Sequence, residues 1–220
     1  MADNPIAFFK LEDIPRDVNI ERKVQKLPPV LQRQLSSISC QVGRINVRGD
    51  GNCGYHVIQL LEYMINNAVR PLEYLQAVRA EGIMSTRLEH NHRLALTGAK
   101  KHYLEYLEVG MILDRLMPNL NVGVIVQSNI KKSGDKRQRR SYPVRVVNYS
   151  QNQQWVFLLM SHGARHYELL TAREMGRQRA VFTVKEAREI FEACSVEYPQ
   201  DRVAAKEQLV FLDPNDFYYF

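Results

Sequence analysis

The spacing of apolar positions along the chain changes from a helical period to a strand period. Residues 53–68 place their apolar side chains three and four positions apart, which gives one face of a helix. These positions are Val57, Leu60, Leu61, Met64 and Ile65. From residue 122 onward, short β-branched and alternating runs take over, which indicates strands. The chain therefore combines a helical first half with a strand-rich second half.

The predicted elements favour an α+β fold. Helices are predicted near residues 19–26 and over residues 53–68, 72–97, 103–116 and 183–195. Strands are predicted over residues 45–48, 122–126, 142–149, 155–160 and 166–170. Because the helices mostly precede the strands, segregated α+β architecture is favoured over alternating βα units. We expect a small, mostly antiparallel central sheet flanked by helices.

Three segments are predicted from the shifts in pattern. Residues 1–38 mix proline with alternating charge and read as an N-terminal extension. Residues 39–180 hold most of the periodic elements and form the predicted core domain. Residues 181–220 form a predicted C-terminal helical appendage.

Composition narrows the class of protein. The chain has 220 residues, of which 45% are hydrophobic and 25% charged, as in ordinary globular domains. No apolar run approaches the roughly 18 residues of a membrane span, and no secretory signal is visible at residues 1–5. Three widely spaced cysteines argue against a disulfide framework and a zinc site. We expect a reducing, cytoplasmic location and no metal ion or cofactor.

The positive charge is concentrated in one segment. The formal net charge is +6, and residues Lys131 to Arg140 carry six basic residues and one acidic residue. The rest of the chain is therefore close to neutral. The segment suits a solvated hairpin tip, and the alternative is a contact with a nucleic-acid backbone. No aromatic residue interrupts the run to stack on bases, which disfavours the nucleic-acid alternative.

A glycine-rich turn lies between the first predicted strand and the helix at residues 53–68. Residues 49–54 match the G-x-G-x-x-G fingerprint of dinucleotide-binding folds. That fold also needs a second parallel strand soon after the helix, and none is predicted until residue 122. The nucleotide-binding interpretation is therefore disfavoured.

The same turn provides suitable surroundings for a catalytic thiol at Cys53. A helix N-terminus stabilises a thiolate through its free N–H groups and its dipole. Asn52 or Asp50 is predicted to cap the helix. The backbone N–H groups of Gly51 and its neighbours are candidate donors to an oxyanion. The alternative is an inert, buried cysteine at the start of a helix.

A nucleophilic thiol needs a base, and the chain contains six histidines. They are His56, His90, His92, His102, His162 and His166. His166 is favoured, because Glu168 lies on the same side of an extended segment and can orient the imidazole through Nδ1–H. Tyr167 faces the opposite side. The four-residue spacing of His162 and His166 would also suit a metal site on a helix. The neighbouring residues argue against a helix here, and therefore against this metal site.

Three blocks together resemble the ovarian tumour (OTU) family of cysteine proteases. The first is Asp50-Gly51-Asn52-Cys53 followed by an amphipathic helix. The second is residues 107–116 followed by the strand 122–126, and the third is residues 155–170, ending in His166-Tyr167-Glu168. The resemblance covers roughly residues 43–172.

The resemblance implies a papain-like fold and a deubiquitinating activity. In this sequence it implies Cys53 as nucleophile, His166 as general base and then acid, and the turn of Asp50, Gly51 and Asn52 as oxyanion support. Asp50 is expected to hold the turn rather than touch the substrate, and Tyr167 to gate the substrate.

One position departs from the family pattern. Many members carry an Asp or Asn two residues after the histidine, and this chain carries the longer Glu168. The third catalytic member therefore stays open between Glu168 and another polar residue, near Asn46 or Asp50.

The implied partner is ubiquitin, polyubiquitin or a related modifier, cut after its C-terminal Gly-Gly. Two alternatives remain at this point. One is an OTU-like endopeptidase that processes a polyprotein, as in a virus. The other is a non-catalytic module that binds ubiquitin or RNA. A viral or bacterial effector of this type would act in the host cytosol.

Overall fold

A mixed β-sheet with helices on both faces organises the chain. The computed structural model describes residues 8–85, 104, 106–130, 139–150, 154–161 and 166–200. The helices are α1 (Pro29–Gln34), α2 (Cys53–Asn66), α3 (Leu72–Ser85), α4 (Tyr106–Leu116) and α5 (Val184–Ala193). The strands are β1 (Phe8–Phe9), β2 (Ile20–Gln25), β3 (Gln41–Val47), β4 (Asn121–Val126), β5 (Ser128–Ile130), β6 (Arg139–Ser141), β7 (Val144–Asn148), β8 (Trp155–Ser161), β9 (His166–Glu174) and β10 (Arg177–Arg179). These elements confirm the predicted α+β class.

The main sheet has eight strands. They run in the order β1-β10-β9-β8-β4-β7, while β3 pairs with β9 and β2 pairs with β3. The β4–β8 pair is parallel, and the other pairs of this sheet are antiparallel. β5 and β6 form a separate antiparallel hairpin. The sheet is larger than the sequence patterns predict, because β1, β2 and β10 join it.

Apolar side chains fill both sides of the sheet. On one face, α2, α3 and α4 bury residues such as Leu60, Leu75 and Val109 against alternate positions of β3, β4, β8 and β9. On the other face, α1 and α5 bury residues such as Leu31 and Ile190 against the remaining positions. The alternation follows from the two-residue period of a strand, which sends successive side chains to opposite faces.

Most of the predicted elements are confirmed. The helix predicted over residues 53–68 is α2, and the strands predicted from residue 122 onward correspond to β4, β7, β8 and β9. The helix predicted over residues 72–97 is confirmed as α3 as far as Ser85, and residues 86–97 lie outside the described residues.

The helix predicted near residues 19–26 is wrong. This segment is β2, whose Ile20 lies opposite Val47 and whose Val24 lies opposite Ile45 of β3. A shift in register separates the two pairs. Pairing with β3 satisfies the backbone of the segment and buries Ile20, and this tertiary gain outweighs the weak local preference for a helix.

The domain boundaries predicted at 38/39 and 180/181 remain a sequence interpretation. Across the first boundary, β2 continues the sheet by pairing with β3. Across the second, α5 buries Ile190 and Phe191 beside Trp155 of β8. Within the described residues, no helix is both long enough and apolar enough to cross a membrane.

Candidate active site

The turn before α2 presents Cys53 at the first position of that helix. Gly51 adopts a φ of 91°, a left-handed conformation that side chains with a Cβ adopt only under strain. Among the described residues, no atom lies within 4 Å of the place that a Cβ on Gly51 would occupy. The backbone N–H groups of Tyr55 and His56 both donate to the carbonyl oxygen of Asn52, which begins the helix.

Asp50 ties this turn to its surroundings. Its Oδ1 accepts a hydrogen bond of 2.8 Å from the backbone N–H of Asn52. Its Oδ2 lies 2.9 Å from Nε2 of His56 and accepts a 3.0 Å hydrogen bond from the side-chain amide of Asn19. Partial burial would raise the pKa of Asp50, but the hydrogen bonds from Asn52 and His56 outweigh it, so that the pKa is lowered. Asp50 is therefore an ionised anchor of the turn.

The predicted side-chain cap of α2 is wrong. Asn52 occupies the N-cap position, but its side chain makes no capping hydrogen bond within the described part of the chain. Asp50 binds the N–H of Asn52 rather than an N–H inside the helix. In the first turn of α2, the N–H groups of Tyr55 and His56 donate to Asn52, and those of Cys53 and Gly54 lie beside the thiol of Cys53.

The thiol of Cys53 is buried, with 1% of the residue exposed. Burial raises the pKa of Cys53, because a thiolate loses solvation there. Hydrogen bonding from the backbone of Tyr167, Gly54 and Cys53 itself lowers it, but less strongly. Desolvation therefore outweighs the helix donors at this position, and the neutral thiol is the favoured form.

His166 is the first residue of β9, next to the backbone that contacts the thiol. Its Nε2 lies 2.5 Å from Oδ1 of Asn46 on β3. Its opposite edge faces the turn before α2, because a Cβ on Gly49 would lie 3.8 Å from Nδ1 and 3.9 Å from Cε1. The structure therefore brings the imidazole, Asn46 and the turn leading to Cys53 together.

The pKa of His166 is lowered. The largest cause is burial, which disfavours the charged imidazolium. The charge of Glu168 raises the pKa, that of Arg44 lowers it, and that of Glu21 raises it. The imidazole is therefore neutral at neutral pH and able to accept a proton.

The carboxylate of Glu168 binds a residue other than His166. Arg44 of β3 donates to both carboxylate oxygens of Glu168, whose side chain is 5% exposed. The hydrogen-bond partner of His166 is Asn46, one of the alternatives that the sequence left open. Glu168 still acts on His166 through its charge.

The ring of Tyr167 lies on the opposite face of β9 and is fully buried. Its hydroxyl donates to the carbonyl oxygen of Leu104 over 2.8 Å. The side chain of Leu104 also lies against Gly54, where a Cβ would approach it to 2.9 Å. Tyr167 thus helps to fix the start of α2 against β9, and its gating role remains a prediction.

Several candidates named from the sequence lie outside the described residues. They are His90, His92, His102, His162 and the segment 131–138. The strands β5 and β6, which flank that segment, pair as a hairpin. Among the described residues, no group of three or more His, Cys, Asp or Glu side chains is placed to hold a metal ion.

Sequence reasoning did not find Glu21, Asn19 or Arg44. Their roles depend on the pairing of β2 with β3 and of β3 with β9. Glu21 and Asn19 lie in a segment that the sequence predicts as a helix. A helix at this position gives no indication that either residue lies near His166. The one available signal was alternation in β3, which places Arg44 and Asn46 on the same side.

No protein-family model and no curated protein sequence matches the chain. Solved structures are similar to it, among them the following two. One is described as "Structure of Ovarian Tumor (OTU) domain in complex with Ubiquitin", with 15% identity, a TM-score of 0.46, and coverage of 77% of this chain and 88% of that one. The other is the viral OTU domain protease from Taggert virus, with 18% identity, a TM-score of 0.38, and coverage of 79% and 88%.

Proposed function

We propose that this chain is a cysteine peptidase of the OTU type that hydrolyses the bond after the C-terminal Gly-Gly of ubiquitin or a related modifier. One observation carries the proposal. The thiol of Cys53 lies against the backbone of Tyr167, while the imidazole of the adjacent His166 is held by Asn46 and turns its Nδ1 edge to the catalytic turn. These neighbouring positions support the proposal that Cys53 acts as nucleophile, His166 as base and Asn46 as the orienting group.

The chemistry begins from a neutral pair. Because the pKa of Cys53 is raised and that of His166 is lowered, the resting site holds a thiol and a neutral imidazole. Nδ1 of His166 takes the thiol proton as the sulfur attacks the carbonyl carbon of the substrate glycine. The carbonyl π bond breaks, and its electron pair moves to the oxygen.

The resulting oxyanion needs donors near the sulfur. The backbone N–H groups of Cys53 and Gly54 at the start of α2 are suited to this purpose, because both lie within hydrogen-bonding reach of the thiol. The tetrahedral intermediate then collapses, the C–N bond breaks, and the imidazolium gives its proton to the leaving amine. Water activated by the same imidazole releases the thioester as a carboxylate and restores the thiol.

Asn46 is proposed as the orienting third member. Its Oδ1 holds Nε2 of His166 and stabilises the imidazolium that forms after proton transfer. Glu168, the member predicted from the sequence, contributes through its charge, while its oxygens are held by Arg44. Asp50 shapes the turn through its hydrogen bonds to Asn52, His56 and Asn19.

The substrate class follows from the motifs and from the shape of the turn. Asp50-Gly51-Asn52-Cys53 and His166-Tyr167-Glu168 are the blocks that resemble deubiquitinating OTU proteases. Gly49 carries no side chain beside the imidazole of His166, and the space beside Gly51 is open among the described residues, which suits a narrow Gly-Gly tail. The three free cysteines fit a reducing compartment, and we place the activity in the cytosol.

The test is cleavage of ubiquitin substrates by the purified chain. Wild-type protein should release a fluorescent amine from the ubiquitin C-terminus and cut ubiquitin dimers, assayed across all linkage types. Cys53→Ala should abolish both activities. His166→Ala should lower kcat/KM nearly as far, because nucleophile and base act as a unit.

Cys40→Ala provides the matched control. Burial raises the pKa of Cys40 to about 12, so its thiol is not nucleophilic at neutral pH, and the variant should cleave like wild type. Equal cleavage by Cys53→Ala and wild type would contradict the proposal. If His162→Ala were crippling while His166→Ala was active, the assignment of the base would be wrong.

A further inference from the structure

We propose that Glu21 is a positioning residue of this site: it fixes the orientation of the Asn46 amide and, through it, the tautomer of His166. The inference builds on the proposed function, since it explains how the imidazole is kept ready to act as a base. Glu21 lies in β2, within the segment that the sequence suggested was an extension to the core domain.

Three neighbouring strands, β2, β3 and β9, place Glu21, Asn46 and His166 next to one another. In β3 and β9, Asn46 lies opposite Glu168, so His166 is its diagonal neighbour. Where β2 pairs with β3, Ile20 lies opposite Val47. The next residue of β2, Glu21, therefore lies beside Asn46, the preceding residue of β3. The side-chain Nδ2 of Asn46 donates to Oε1 of Glu21 over 2.8 Å, and its Oδ1 lies 2.5 Å from Nε2 of His166.

The carboxylate decides which way the amide points. An ionised carboxylate only accepts hydrogen bonds, whereas an amide has one accepting oxygen and one donating NH2 group. Asn46 must therefore turn its NH2 group to Glu21 and its oxygen to His166. Without Glu21, either orientation of the amide could satisfy a neutral imidazole.

The amide in turn decides which ring nitrogen carries the proton. Because Oδ1 of Asn46 accepts, Nε2 of His166 must donate, and a neutral imidazole has only one N–H. The lone pair is therefore on Nδ1, at the edge that faces Gly49 and the turn of Cys53. A reversed amide would place the proton on Nδ1, where the ring could not accept the thiol proton.

The other contacts of Glu21 are made by its Oε2, so that Oε1 is available to Asn46. Gln25 donates to Oε2 over 2.5 Å, and Nζ of Lys23 lies 3.7 Å from the same oxygen. The hydrogen bond from Asn46 is the largest influence on the pKa of Glu21, which is lowered. Glu21 is therefore ionised at neutral pH, as the accepting role requires.

The arrangement also explains the residue type at position 46. The substitution Asn46→Asp would place a second carboxylate within hydrogen-bond distance of Glu21, and two carboxylates that close do not both ionise at neutral pH. Adding Glu21→Gln restores the pattern, because the new amide at position 21 donates to the new carboxylate at position 46, which still accepts from His166. The combination of Asn46→Asp with Glu21→Gln should therefore work better than Asn46→Asp alone.

Two readouts test the proposal, and the first needs no substrate. The ¹⁵N chemical shifts of the His166 ring distinguish a protonated nitrogen from one with a lone pair, and a His166→Ala spectrum identifies the signals. Wild type and Lys23→Ala should show protonated Nε2 at neutral pH. Glu21→Ala should show a mixture of both tautomers.

The second readout is kcat/KM for a ubiquitin substrate. Glu21→Ala should lower it about tenfold, which corresponds to one charge-assisted hydrogen bond. Lys23→Ala removes a contact to the other oxygen of Glu21 and should stay within about twofold of wild type. Asn46→Asp should fall below Glu21→Ala, and the double variant Asn46→Asp with Glu21→Gln should recover most of the loss.

The outcomes separate this inference from the proposed function. If Glu21→Ala keeps the protonated Nε2 and the wild-type kcat/KM, the positioning role is refuted while the peptidase stands. If no ubiquitin substrate is cut, the tautomer ratio still decides the role of Glu21. Should Glu21→Ala fail to fold, equal kcat/KM for Asn46→Asp alone and for Asn46→Asp combined with Glu21→Gln would overturn the inference.

Discussion

At the scale of single residues, the site depends on a buried thiol and a buried imidazole whose pKa values are shifted in opposite directions. Burial raises the pKa of Cys53 and lowers that of His166, so both groups are neutral at rest. The sequence predicted both residues as candidates, because a cysteine after a glycine-rich turn and a histidine at a strand start are readable locally. Their burial was not readable, because it depends on packing between α2 and β9.

The pH dependence of kcat/KM should report the neutral imidazole. A base works only when unprotonated, so activity should rise with pH through the pKa of His166, which lies below its ordinary value of 6.5. The acid limb of the pH profile should therefore lie below 6.5. An acid limb above that ordinary value would show that another group controls the activity.

Two variants should move that limb in opposite directions. The charge of Glu168 raises the pKa of His166, so Glu168→Gln should shift the limb to lower pH. The charge of Arg44 lowers the same pKa, so Arg44→Gln should shift the limb to higher pH. Shifts of the same sign in both variants would contradict the electrostatic account, since each variant breaks the same ion pair.

At the scale of elements, the turn into α2 and the pairing of β2 with β3 build the site. The amphipathic period of residues 53–66 made α2 predictable, because its apolar face is continuous along the sequence. β2 was not predictable in this way, since its strand conformation comes from pairing with β3. The error matters for function, because β2 brings Glu21 to Asn46.

Gly51 should be needed for activity beyond its effect on stability. At a φ of 91°, Gly51→Ala meets no atom of the described residues but strains the backbone by about 1–3 kcal/mol. Relaxation of that strain would move the donors of the turn, so kcat/KM should fall about tenfold or more. Gly176, in the turn between β9 and β10, is a matched control with a φ of 80° and equally open surroundings.

The comparison separates strain from catalysis. Gly51→Ala and Gly176→Ala should lower the free energy of unfolding by similar amounts in chemical denaturation, while only Gly51→Ala lowers kcat/KM. Equal kcat/KM in the two variants would show that the turn does not position catalytic donors.

At the scale of the whole molecule, helices on both faces of one sheet hold the site in place. The sequence predicted the α+β class, because helical and strand periods are segregated along the chain. It did not predict how the ends join the core. Trp155, on the face covered by α1 and α5, packs against Phe191 of α5 with ring centroids 5.1 Å apart and donates to Tyr198 over 3.0 Å.

Residues of α5 should therefore support the fold as core residues do. Phe191 is fully buried, and Phe191→Ala should lower the free energy of unfolding by about 3–5 kcal/mol. Lys185→Ala on the exposed side of the same helix should change it by less than about 0.5 kcal/mol. A loss below about 1 kcal/mol for Phe191→Ala in chemical denaturation would indicate that α5 is an appendage.

The most direct measurement of the central claim is covalent capture of Cys53. Ubiquitin carrying a C-terminal electrophile should add one equivalent to the wild-type chain, and peptide mass spectrometry should place the adduct on Cys53. His166→Ala should react much more slowly, because the buried thiol then lacks its base. Absence of any adduct, or an adduct on Cys40 or Cys194, would contradict the account.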